Sequence, residues 1–579
     1  MGRAREYSKK RPESKGTSLT RPYKILWFFP TALLRYQIQQ SRLIVSPVNS
    51  QTKTPLLDAL RDRTNHPHAP FYAPGHKRGQ GISGPLVDLF GATVFRSDLP
   101  ELPELDNLFN PEGAIAEAQD LAAEAFGAKS TRFLANGSTC GIIAAILATC
   151  GPGDKIILPR NIHSSAISGL ILSGAIPIFV NPEYDRTWDI ANSITPDATA
   201  SALEQHPDAK AVMMVYPTYH GVCGDLRAIA QITHQYNIPL LVDEAHGAHF
   251  NFHPNLPEPA LSAGADLTVQ SIHKTLGAMT QASMLHVKGD RIDIQKLNRA
   301  LQLVQSTSPS YILLASLDAA RQQIALHGEQ LMTKTLLLAE KARSRISLIP
   351  GLSVLEPLNT PGFVALDRTR LTVKVSDLGI TGFAADEILH SELAVTAELP
   401  MPQHLTFIIS LGNTETDIDN LVKALTILEG RRKFGNQHCT RCNGCNGCQE
   451  EGSSATDFVM DVTDVRKKEE VRKKKSERRS PMSEGRFAQS PNLPLSHSPP
   501  LISPREPFFL PAETLAADKA VDRLCAELIC PYPPGIPVLM PGEIITREAV
   551  DYLQQVLTAG GKLTGCSDRS LQTLKVVRQ

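Results

Sequence analysis

Between residues 111 and 289, short apolar runs alternate with helical patterns, and this alternation constrains the fold more than any other feature of the chain. The runs fall at 131–135, 155–158, 176–180, 211–216, 239–242, 267–270 and 283–287. They are close to continuously apolar, with no polar residue at every second position. Strands of that kind are covered on both faces, so none of them keeps a wet side. The stretches between them supply the cover. Residues 112–126 carry Ile115, Ala118, Ala122 and Ala125 on one helical face. Residues 139–150 read as a buried helix of small residues, and 163–173 and 225–236 as further helices. The expected fold class is α/β, with a mostly parallel seven-stranded-type sheet between helical layers. Sheets of this type place their ligands beyond the carboxyl ends of the strands.

Four of those strand ends carry residues with chemistry. Asp243 closes the run Leu240-Leu241-Val242, where a carboxylate without a cationic partner is costly. Lys274, in Ser271-Ile272-His273-Lys274-Thr275, lies on an expected extension of the strand at 267–270. A lysine buried there loses its charge readily and so suits covalent chemistry with a carbonyl. Together they form the pair that holds pyridoxal phosphate (PLP): a lysine for the Schiff base and a carboxylate for the pyridine nitrogen. Gly137, Ser138 and Thr139 begin a helix, and their N–H and hydroxyl groups suit a phosphate. His163 follows the next strand and offers a flat ring to a planar cofactor.

Each of these residues taken singly has an ordinary reading. Ser and Thr are preferred helix caps for their own sake. A histidine can simply bond to backbone, a strand-end lysine can point to water, and a carboxylate can pair with an arginine elsewhere. The order of the set favours PLP. His246, His249 and His253 have short spacing that also suits a metal, but nothing else in the pattern calls for one, and no metal is expected.

A chain of 579 residues exceeds one compact domain. Residues 1–50 are basic and without sustained periodicity, and are expected to be a disordered extension. Residues 51–330 form an N-terminal segment and the large domain, 331–430 a smaller α+β domain, and 506–579 a C-terminal domain. Residues 431–505 are an abrupt change of composition: four cysteines, a Lys/Arg run and a Ser/Pro tract, read as an insertion. Cys439, Cys442, Cys445 and Cys448 have a spacing that zinc or an iron–sulfur cluster can use. The repeated Cys-Asn-Gly unit favours a repeat-derived insertion without function. Lys+Arg and Asp+Glu are equal at 59 each, so the whole molecule carries no charge excess that calls for nucleic acid or a membrane. The apolar stretch at 25–34 is too short to span a bilayer and contains Pro30. The remaining cysteines are scattered, as in a reducing compartment, and a cytoplasmic protein is expected.

In combination, segments 71–79, 98–106, 136–139, 159–165, 242–249, 271–275, 281–289 and 306–311 resemble the Orn/Lys/Arg decarboxylase family, in its short form. Pro531-Tyr532-Pro533-Pro534-Gly535-Ile536-Pro537 and Pro541-Gly542-Glu543 resemble that family's C-terminal domain. The resemblance implies the PLP fold type I architecture, with a large domain, a smaller α+β domain and a C-terminal α+β decarboxylase domain. It makes Lys274 the Schiff-base lysine, Asp243 the partner of the pyridine nitrogen and His163 the stacking ring. Ser138, Thr139, Ser271 and His273 would hold the phosphate, and His246 would lie beside the cofactor. It further implies a homodimer with shared active sites, in which Ser306 and Thr307 reach the partner's cofactor, and a place for Glu543 near the substrate's distal cation. The implied reaction is PLP-dependent decarboxylation of a basic amino acid, arginine or lysine ahead of ornithine, with His273 or Lys274 returning a proton. Another fold type I enzyme, an aminotransferase or carbon–carbon lyase, and a non-catalytic regulatory homologue are the alternatives.

Overall fold

Seven buried strands form the central sheet of the computed structural model, which describes residues 50–437 and 502–578. They are β1 (Ser130–Leu134), β2 (Lys155–Pro159), β3 (Ile176–Val180), β4 (Ala211–Val215), β5 (Leu240–Asp243), β6 (Leu267–Gln270) and β7 (Ser283–Val287). Their order is β1-β7-β6-β5-β4-β2-β3. The pairings from β6 through β3 are all parallel, and β7 runs antiparallel to both neighbours. The predicted strands therefore all form, with ends displaced by a residue or two.

Helices cover both faces because neither face is polar. α1 (Ala114–Phe126) packs with one core layer, and α2 (Gly137–Thr149) and α3 (Ser164–Ser173) with the other. The small side chains of α2 have a reason. A Cβ on Gly141 would come within 2.8 Å of Val269 and 2.7 Å of Leu134, so only glycine lets the helix sit this close to the sheet. α4 (Leu226–Gln235) is capped by Asp225, whose side chain accepts from the Ala228 N–H.

A single long helix leads into the smaller domain. α5 runs from Tyr311 to Ile346 and crosses position 330 without a break, so helix, not loop, joins the two parts of the chain. Its first half hides from a periodicity reading because Asp318 and Arg321 sit on the buried face. They pair with each other, and Arg321 also donates to the carbonyls of Gln51 and Lys53. Beyond α5 comes an antiparallel sheet of β8 (Ser353–Val354), β9 (Arg370–Lys374), β10 (Leu399–Pro400) and β11 (His404–Ile408), in the order β8-β9-β11-β10. α6 (Gly382–Glu392) and α7 (Glu415–Gln437) accompany it; α6 and β10 are not evident in the sequence pattern.

The C-terminal residues pair Ala512–Ala516 with Thr573–Val577, and α8 (Arg547–Thr558) closes their core. Met540 leaves that core and enters the layer under α2 and α3. Cys439, Cys442, Cys445 and Cys448 lie outside the described residues, as does the extension at 1–49. No helix among the described residues is long and apolar enough to cross a membrane.

Candidate active site

A cavity of about 250 Å³ opens at the carboxyl ends of β4 and β5. Ser138, His163, Asp243, His246 and Lys274 contribute to its wall, so five of the residues singled out in the sequence meet there. Asp243 is the last residue of β5 and is buried; Oδ1 accepts from the Ala245 N–H at 3.2 Å. Burial pushes its carboxyl above the usual range, opposed by His163 and Lys274 in their protonated forms. Burial likewise lowers Lys274, opposed by Asp243. The cavity thus holds a carboxylate and a lysine in a setting where each is costly without the other or a bound group of opposite charge.

Lys274 does not continue the strand as expected. β6 ends at Gln270, and a short helical turn, Ile272–Thr275, carries the lysine over the cavity. Its Nζ lies 3.0 Å from His246 Nε2. His163 is at once a cap and a wall residue. Nδ1 accepts from the Ser165 N–H at the start of α3, which leaves Nε2 directed toward the C-terminal residues.

Gly137 takes φ +77° and starts α2 two residues earlier than expected. The Asn136 side chain makes no cap hydrogen bond there, and Ser271 Oγ donates to Ser138 Oγ at 2.8 Å. The first N–H groups of α2 and these two hydroxyls suit an anionic group. Thr139 is exposed, and Thr139, Ser271 and His273 flank the cavity wall without forming it. His273 Nδ1 is engaged with the Ala282 carbonyl at 3.0 Å. Ser306 and Thr307 are exposed, and the Ser306 N–H donates to Asn136 Oδ1, beside the start of α2.

Glu543 has a different place from the one expected. It is 1 % exposed and meets Arg160 Nη2 through both carboxylate oxygens, at 3.0 and 3.1 Å. It is not on the cavity wall. Besides Asp243, the acids there are Glu398 and Asp189, which escape a sequence reading because Glu398 lies just before β10 of the smaller sheet and Asp189 in a short hairpin. Tyr219 was findable: it stands just past the end of β4, where the strand-end rule applies, and its hydroxyl donates to Glu398 Oε1 at 2.6 Å. Pro531, Tyr532, Pro534, Ile536 and Val538 roof the cavity from the C-terminal residues. His246, His249 and His253 have separate partners, in Lys274, Asp367 and Thr333, and among the described residues no group of three or more His, Cys, Asp or Glu is placed to hold a metal.

Glu244, next to Asp243, points away from the cavity into the sheet, where it accepts from the Ala260 N–H and Gln270 Nε2. Burial pushes its carboxyl up to about 8. The folded state therefore favours its protonated form. The stability this contributes is complete below the ordinary carboxylate range and is lost as pH rises through about 8. The melting temperature is expected to fall between pH 7 and 9, and less so in Glu244→Gln. There an amide turn at Gln270 and a tautomer change at His286, its other partner, restore the pairing. Equal declines in the two proteins would refute the assignment.

The α/β sheet, with a lysine and a carboxylate sharing one cavity beyond its strand ends under a C-terminal roof, has the architecture of PLP fold type I. Family models agree. "Orn/Lys/Arg decarboxylase, major domain" matches residues 54–369, and "Orn/Lys/Arg decarboxylase, C-terminal domain" matches 510–571. An arginine decarboxylase of Bacillus anthracis is 37% identical over 92% of this chain and 98% of its own length. One from Bacillus subtilis is 35% identical over 92% of this chain and 99% of its own. The crystal structure of the Francisella novicida lysine decarboxylase LdcF has the same fold, with a TM-score of 0.71 over 94% of this chain and 83% of that one, at 21% identity. The chain belongs to the Orn/Lys/Arg decarboxylase family and is an amino-acid decarboxylase.

Proposed function

We infer that the chain decarboxylates arginine to its amine and carbon dioxide, with PLP held by Lys274, Asp243 and His163 and by the hydroxyl and N–H groups of Gly137, Ser138, Thr139 and Ser271. The observation that carries this reading is the shared cavity of Lys274 and Asp243, in which burial disfavours both charges. The start of α2 beside Ser138, which has no side-chain cap, fits the phosphate. His273 belongs to the same set by its position, although its Nδ1 is engaged with Ala282. Bound there, PLP supplies an electron sink for the pair left when the α-carboxylate departs.

The residues do the rest. Asp243 keeps a negative charge where a pyridinium needs it. The prolines, Tyr532, Ile536 and Val538 of the roof exclude water, which favours loss of a charged carboxylate. Lys274 Nζ, on the wall, is better placed than His273 to return a proton to the α-carbon. Glu398 supports arginine over the ammonium heads of lysine and ornithine, since a guanidinium offers a carboxylate two parallel donors. The named arginine decarboxylases of similar length point the same way.

The same reading makes the enzyme a cytoplasmic homodimer with Ser306 and Thr307 reaching the partner's site. Its support is the exposure of that segment, together with exposed Phe71, Leu89 and Phe90 and free cysteines throughout the described residues. The domains proposed are a large one before 330, a smaller one to 430 and a C-terminal one from 506, although the major-domain match runs past 330 to 369.

The test is carbon dioxide release from arginine, lysine and ornithine by purified protein with PLP, beside Lys274→Ala. Release from arginine at least tenfold above the other two, abolished in the variant, is expected. Preference for lysine or ornithine would overturn the substrate, and release by Lys274→Ala would overturn the site.

A further inference from the structure

His246 stands between the cavity and the smaller sheet, and both its ring nitrogens are engaged. On one side Nε2 lies 3.0 Å from Lys274 Nζ. On the other, Arg370 Nη2 lies 3.1 Å from Nδ1 and 3.1 Å from the His246 carbonyl oxygen. Arg370 is the first residue of β9 and is fully buried. Its side chain is held against Gly221, where an added Cβ would come within 2.8 Å of Arg370 Cβ. Asp367, also fully buried, balances its charge at 3.9 Å and is itself fixed by Thr369 and His249.

These contacts leave one arrangement of protons. A guanidinium only donates, so His246 Nδ1 must offer a lone pair to Arg370. A neutral imidazole then carries its single proton on Nε2. That N–H points at Lys274 Nζ, which can accept it only as a neutral amine. An ammonium at the same place would set two donors against each other.

We propose that Arg370 and His246 form a tautomer lock that holds Lys274 as the neutral amine before any cofactor is bound. Arg370 is the positioning residue, and it acts through His246. The proposal deepens the reading of Lys274 given above and rests on it. It gives a reason for a histidine, rather than an apolar aromatic, at the position beside the lysine.

Other groups act on the same amine. Asp243 and Glu398 favour its charged form, whereas Arg370 and burial disfavour it. Around His246, Lys274, Arg370, His163, His273 and burial all favour the uncharged ring. Tyr219 covers the ring, with centroids 4.4 Å apart. The lock acts through hydrogen-bond direction, so it differs from a simple sum of charges. Replacing Arg370 by lysine preserves both charge and donor. Replacing it by methionine removes both and frees Nδ1 to take the proton.

The experiment uses the full chain freed of PLP. Competitive acetylation with acetic anhydride, read by peptide mass spectrometry across pH 6 to 11, gives the titration midpoint of Lys274, with exposed Lys53 and Lys129 as references. Nitrogen-15 histidine spectra, with His246 assigned by its absence in His246→Phe, report the tautomer. In the wild type, His246 is expected as the Nε2–H form, and Lys274 to titrate at least about two pH units below the references. Arg370→Met should lose the Nε2–H signature and raise the Lys274 midpoint by a unit or more, while Arg370→Lys keeps both. An Nδ1–H tautomer in the wild type, or a Lys274 midpoint equal to the references, overturns the lock; neither reading needs the variants to fold. Decarboxylation enters neither measurement, so failure of the substrate assignment and failure of the lock are told apart.

Discussion

Asp243→Asn is expected to lower carbon dioxide release on the order of a hundred- to a thousand-fold and, at the same time, to raise the melting temperature of the chain freed of PLP. The two effects share one cause. Asp243 ends a strand whose other residues are apolar, and it is buried with a single backbone donor, the Ala245 N–H, on one oxygen. Burial raises its carboxyl against the pull of His163 and Lys274. A carboxyl raised on folding contributes stability that is complete below its unfolded range and is lost as pH rises through its folded value. Above that value the carboxylate is a cost, which a cationic ring offsets only when the cofactor is bound. Asparagine keeps the Ala245 hydrogen bond without the charge, so the variant's advantage should be wider at pH 8 than at pH 5. Melting curves of both PLP-free proteins at the two pH values, with turnover of the loaded ones, check the pair of effects. A variant within tenfold of wild-type turnover would remove Asp243 from the role assigned to it.

What the sequence discloses here, and what it hides, follows from the range of the interactions. The seven strands are legible because each is apolar along its whole length and bounded by helices. Asp243, Lys274, His163 and Ser138 are legible because a parallel sheet gathers its strand ends at one edge. The turn that carries Lys274 is not, since four residues are too few to show a period. Arg370 and Glu398 are hidden for another reason: one approaches behind His246 and the other on the cavity wall, from a sheet that begins more than a hundred residues after β5, and no local pattern records that approach. The first half of α5 is obscured by its buried Asp318 and Arg321, which interrupt the apolar stripe they help to bury. Glu543 shows the limit of resemblance alone. Its position among the C-terminal motifs suggested a contact with substrate, and only coordinates reveal that Arg160 occupies it.

That pair carries the second large effect: Glu543→Gln is expected to destabilise the protein by about 3–5 kcal/mol. Arg160 is 2 % exposed and Glu543 1 %, so water does not screen them. Burial raises the Glu543 carboxyl, and the Arg160 charge with the Met540 N–H offsets this. Without the carboxylate, Arg160 keeps the carbonyls of Pro537 and Val538, the face of Phe179 and at best one amide oxygen, and its charge is left unpaired in the interior. Val538 belongs to the roof of the cavity, and Pro537 joins it to Ile536, another roof residue. Nearby, Gly535 accepts from the Ser164 N–H, and an added Cβ there would lie 3.2 Å from His163 Nε2. The ion pair therefore ties the C-terminal residues down at the edge of the site. A buried pair replaced as a whole by apolar side chains of similar size often costs little, so Arg160→Met with Glu543→Leu should recover most of the stability lost by either change alone. It should not recover function to the same degree, because methionine cannot hold the Pro537 and Val538 carbonyls, and KM for the amino acid should rise several-fold with kcat less affected. Urea denaturation of the two single variants and the double variant measures the first expectation, and steady-state kinetics the second. A loss below about 1 kcal/mol in Glu543→Gln, typical of exposed pairs, would mean that the roof is held by its apolar contacts and not by this charge.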